Sequence, residues 1–78
     1  MSELWRRCLE RLETEFDAED VQTYLKPLQA HDDDAGLRLF APNGYTLEAV
    51  SERFLPRIRA VVEHLHGAPL PVALEVGA

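Results

Sequence analysis

Leu28-Gln29-Ala30-His31-Asp32-Asp33-Asp34-Ala35-Gly36-Leu37-Arg38-Leu39-Phe40-Ala41-Pro42-Asn43 is the stretch that decides the fold. Leu28 and Ala30 alternate with Gln29 and His31, and Leu37, Leu39 and Ala41 alternate with Arg38 and Phe40. Successive side chains leave a strand on opposite sides, so this period of two marks strands with one buried face. Between the runs, three aspartates, an alanine and a glycine supply turn chemistry. The segment predicts a β-hairpin with an acidic tip, and Pro42-Asn43 ends its second strand.

Upstream the period is helical. From Ser2, a candidate N-cap, to about Glu15, the residues Leu4, Trp5, Cys8, Leu9, Leu12 and Phe16 fall within an arc of about 140°. Arg6, Arg7, Glu10 and Glu13 occupy the other side. Asp17 caps a second helix from Ala18 to about Leu25, with Val21, Tyr24 and Leu25 apolar and the acids Glu19 and Asp20 in the first turn, where the helix dipole favours them. Pro27 stops it.

Downstream, Asn43 caps a long third helix whose stripe runs through Leu47, Val50, Phe54, Leu55, Ile58, Val61, Val62 and Leu65. Pro56 interrupts the ladder, but the stripe keeps its phase across it, so one kinked helix is expected. Gly67 supplies the stop. Leu70, Val72, Leu74 and Val76 then alternate with Pro71, Ala73 and Glu75 as a third strand. The order is α-α-β-β-α-β, an α+β two-layer domain with a three-stranded sheet. A strand, a helix and a strand in one sheet imply a right-handed crossover, so the second and third strands are expected to be parallel.

Composition limits the function. With 78 residues, 46% of them hydrophobic and 28% charged, the chain allows one globular domain with a modest core. No apolar run approaches the roughly 20 residues that span a bilayer. The start, Met1-Ser2-Glu3-Leu4-Trp5, lacks the pattern of a signal peptide, and Cys8 is the single cysteine; both fit a cytoplasmic location. A net charge of −6 repels phosphate backbones and anionic membranes, which leaves proteins as the expected partners.

The chain has no phosphate-cradling glycine loop, no cysteine pair for zinc and no nucleophile elbow, so no enzymatic activity is expected. His64 and His66 point about 200° apart on a helix and cannot chelate one metal ion together. Asp32-Asp33-Asp34 reads as a solvated turn that discourages edge-to-edge pairing. Ser51 and Cys8 show no activating base.

Three places remain as interaction candidates. On the first helix Leu9, Leu12, Phe16 and Trp5 suffice to cover a sheet or a second helix, so that Trp5 reads equally as a cap on the core. Leu4 and Cys8 widen the apolar arc beyond that contact. Asp20 and Tyr24 lie one turn apart at the edge of the second helix's apolar face, where they read either as a contact pair or as an acid favoured by the helix dipole beside a half-buried tyrosine. Tyr45 lies nearly opposite the core stripe of the third helix, where its ring either faces water as an interaction anchor or folds back over the hairpin.

Leu4-Trp5-x-x-Cys8-Leu9-x-x-Leu12, Tyr24-Leu25-Lys26-Pro27-Leu28-Gln29-Ala30 and Leu39-Phe40-Ala41-Pro42-Asn43 together resemble the N-terminal domain of the bacterial replication initiator DnaA. The resemblance covers essentially all 78 residues and implies a fold similar to a K-homology domain. It implies self-association at the replication origin through Leu4, Trp5 and Cys8, as a weak homodimer. It implies contacts with the replicative helicase and with an initiation regulator through Asp20, Tyr24, Asn43 and Tyr45. Where this chain has Asp20, Tyr24 and Tyr45, the family often has Glu, Trp and Phe; charge and aromatic character survive the exchange. ATP and duplex DNA are expected to belong to other domains of a full-length initiator, with no cofactor in this one. The competing reading is a single-stranded nucleic-acid-binding domain of K-homology type. That class clamps its ligand with a Gly-x-x-Gly loop, which this chain lacks, leaving at most weak single-stranded DNA contact near Arg38, Asn43 and Tyr45.

Overall fold

The computed structural model describes residues 2–77. Helix α1 spans Glu3–Leu12, and helix α2 spans Ala18–Asp20 and continues as a π turn over Val21–Leu25. The hairpin follows as β1 (Gln29–Asp33) and β2 (Gly36–Ala41), then helices α3 (Gly44–Arg53) and α4 (Leu55–His66), and finally strand β3 (Val72–Val76). Over the described residues the chain is α+β, four helices with a mixed three-stranded sheet, in the order expected.

The caps explain where the helices begin. Ser2 Oγ accepts the Trp5 amide at 3.0 Å, and the same hydroxyl donates to Asp32 at 2.7 Å, pinning the start of α1 to the hairpin tip. Asp17 accepts the Glu19 amide at 2.8 Å, and Asn43 Oδ1 accepts the Thr46 amide at 2.8 Å. Gly67, with φ +83°, closes α4 in the left-handed conformation that glycine adopts without strain.

Central strand β2 pairs antiparallel with β1 and parallel with β3, from Leu37 opposite Val72 to Ala41 opposite Val76. Its inward residues Leu37, Leu39 and Ala41 are buried, whereas Arg38 on the other face is exposed and Phe40 half-buried. Gly36 admits the close approach of β3: a Cβ there would sit 2.5 Å from the Pro71 carbonyl oxygen, which accepts the Leu37 amide. One layer of helices covers the inner face, with Leu12, Val21, Leu25, Val50, Phe54, Ile58 and Val62 completing the core.

Two local expectations are corrected. The third helix is not one kinked rod but two helices separated at Phe54, where φ is −123°. Pro56 would crowd the Glu52 carbonyl in a continuous helix; after the break it falls in the first turn of α4, where no amide donor is needed. The stripe stays in phase because the Val50 carbonyl still accepts the Phe54 amide and the Phe54 carbonyl the Ile58 amide. The break lets α4 pack against α1 while α3 lies on the π turn and on strands β2 and β3. The second helix, in turn, abandons α geometry after Asp20, with the Lys26 amide bonding the Val21 carbonyl five residues back. Pro27 has no amide to continue the ordinary ladder, and the wider turn still sends both Val21 and Leu25 into the core.

Candidate protein-interaction face

Helix α3 carries the exposed aromatic. Tyr45 follows the cap Asn43 and keeps 75% of its surface exposed, while Thr46 and Val50 of the same helix are buried. Asn43 is itself exposed, with its side-chain oxygen engaged in capping. These two residues form a patch at the N-terminal end of α3.

Asp20 and Tyr24 form a second patch near the C-terminal end of the same helix. Eight residues separate Tyr45 from Arg53, about 12 Å along the axis and about 80° around it, so both patches lie towards the solvent side of α3. Arg53 donates to Asp20 Oδ2 at 2.9 Å and places its guanidinium carbon 5.1 Å from the centre of the Tyr24 ring and 4.9 Å from that of Phe54. Below it, Phe54 packs on Tyr24 at 5.9 Å and edge-on against Phe16 at 5.0 Å. The structure thus brings Asp20 to Tyr24, and Asn43 to Tyr45, as two patches joined by α3 rather than one cluster. Arg53 is the residue that sequence reasoning missed. Its partner is 33 residues away, and nothing in the chain marks the pair.

The first-helix candidates divide differently. Trp5 is 3% exposed and Cys8 fully buried, so neither forms the surface expected of a self-association stripe. The wheel gave their direction correctly but not what lies opposite: α4 packs against this helix and extends the core around it. Burial pushes the Cys8 thiol up to about 11, which keeps it protonated and unreactive at neutral pH. Trp5 Nε1 is buried with no hydrogen-bond partner among the described residues. Only Leu4 reaches the surface, half-buried in a 340 Å³ groove shared with Leu65 and Leu70 and rimmed by Glu3, Arg7, Asp32, Asp33 and His66.

Among the described residues, no three metal-ligating side chains converge, and no helix is long and apolar enough to cross a membrane. The model of the DnaA N-terminal domain family matches residues 2–64. Over all 78 residues the chain is 42% identical to the chromosomal replication initiator protein DnaA of Chromobacterium violaceum, of whose length it spans 16%.

Proposed function

This chain belongs to the DnaA N-terminal domain family, and on that premise we propose that it is the protein-interaction domain of a replication initiator, non-catalytic in itself, through which initiators self-associate at the origin and engage the replicative helicase and an assembly regulator. The exposed ring of Tyr45 carries this reading: a large aromatic that contributes nothing to the core, seated on a helix fixed by its own cap. Exposed aromatics beside charged groups are the usual anchors of small interfaces. Asp20 and Tyr24 extend the face along α3. Self-association is assigned to the groove of Leu4, Leu65 and Leu70, on the side of α1 away from the buried Trp5.

The decisive experiment is a binding titration of the replicative helicase against wild type and Tyr45→Ala, each checked by a thermal melt. Loss of binding with an unchanged melt supports the reading; normal binding by Tyr45→Ala ends it. A weaker reading, contact with single-stranded nucleic acid, draws on Arg38 stacked 5.1 Å over Phe40 on the uncovered sheet face. Glu75, 3.5 Å from Arg38, already offsets that charge. A real nucleic-acid site would lose affinity steeply with salt.

A further inference from the structure

Asp20 is already engaged in the free protein. Its carboxylate, the Tyr24 ring and the Phe54 ring hold one guanidinium, that of Arg53. Such a constellation is specific in shape: an acceptor for the N–H fork and aromatic faces for the plane of the cation. The occupant is only loosely kept. The Arg53 side chain is 48% exposed and that of Asp20 35%, and an ion pair at such a rim is weak. Glu19 and Glu52, next in the chain to Asp20 and Arg53, are exposed acids.

We propose that Asp20 and Tyr24 form a guanidinium receptor, that Arg53 is its resident placeholder, and that a protein partner docks on this face by inserting an arginine in its place. The inference rests on the reading of α2 and α3 as a partner-binding face, and adds the chemistry of the partner. Asp20 then acts as the anchor for an incoming cation rather than as an isolated negative charge. A lysine in the same role would fit poorly, since a compact ammonium has no plane to lay on a ring.

Two arms test it. In the first, N-acetyl-arginine amide is titrated into wild type and Arg53→Ala and followed by the NMR shifts of Asp20 and Tyr24. Removing the placeholder should tighten binding roughly two- to five-fold, the scale on which a surface pair competes. Asp20→Ala added to Arg53→Ala should abolish the shifts, and N-acetyl-lysine amide should bind more weakly. If Arg53→Ala lowers the melt, Arg53→Met replaces it, keeping aliphatic cover over the rings. No saturable binding to the emptied site overturns the proposal.

In the second arm the helicase is the ligand. Arg53→Ala should tighten its binding by a similar factor and Asp20→Ala should weaken it; a weaker or unchanged affinity for Arg53→Ala overturns the placeholder role. Tyr45→Ala separates the two failures. If it loses the helicase while Arg53→Ala has no effect, the receptor idea falls alone. If Tyr45→Ala binds normally, the face itself is misassigned, and the arginine-amide titration still decides the receptor.

Discussion

Trp5, Leu12 and Tyr45 separate packing from recognition at the scale of single residues. Trp5→Ala should cost about 3–5 kcal/mol and Leu12→Ala about 2–5 kcal/mol in chemical denaturation, since both side chains leave cavities in the core. Tyr45→Ala should change stability by no more than about 0.5 kcal/mol, because the ring is in water before and after. A self-association defect in Trp5→Ala would therefore report unfolding, and Leu4→Lys, which charges the groove without hollowing the core, is the variant to sediment. The wheel pointed Tyr45 away from the core stripe but left open whether its ring turns to water or folds back over the hairpin. The rotamer of a side chain at a helix start is not fixed by its direction from the axis; the structure decides for water. The wheel already set Trp5 with the core-covering Leu9, Leu12 and Phe16; the burial of Cys8 was not legible, because direction alone does not say how far the facing element wraps round.

Between elements, the joint of α1 to α4 is electrostatic at its rim. Glu15, just past α1, accepts from Arg57 on α4 at 2.7 Å and from Arg11 at 2.8 Å. Those two cations, Arg57 foremost, hold its carboxyl down to about 2, from an ordinary value of 4.5. A lowered carboxyl stabilises the fold when ionised, so its contribution is present above about pH 4.5 and lost as pH falls towards 2. Denaturation midpoints should fall across that window, and Glu15→Gln should flatten the fall; an equal slope in both proteins would show the joint to be inert. The hairpin and β3 were readable because a one-sided sheet writes its period into the chain. The split at Phe54 was not, since Pro56 is compatible with either a kink or a fresh helix start, and α1 decides by pulling α4 onto itself. The π turn left no pattern either: four-residue spacing of Val21 and Leu25 looks the same in both helix types.

For the molecule as a whole, acidity and the absence of a phosphate loop predict that calorimetry with ATP gives no saturable heat. Self-association through the Leu4 groove should bury less than about 1,200 Å² in total, so the dimer should appear only at high concentration in sedimentation. Fold class and strand direction followed from element order, since crossover chirality leaves few arrangements; the meeting of Arg53 with Asp20 did not, being a product of the completed packing. The parallel pairing of β2 with β3 also sets a timetable. The hairpin closes locally, but Leu37 must wait for Val72, about 35 residues later, before the central strand gains its second neighbour. At ribosomal speeds of about 5–20 residues per second that delay is roughly 2–7 s, during which the nascent chain displays an unpaired edge of β2 and an open core. The domain matures only at its last strand, so β3 acts as the latch of co-translational folding. A chain arrested before Val72 should be digested by protease where one extended past Val76 resists.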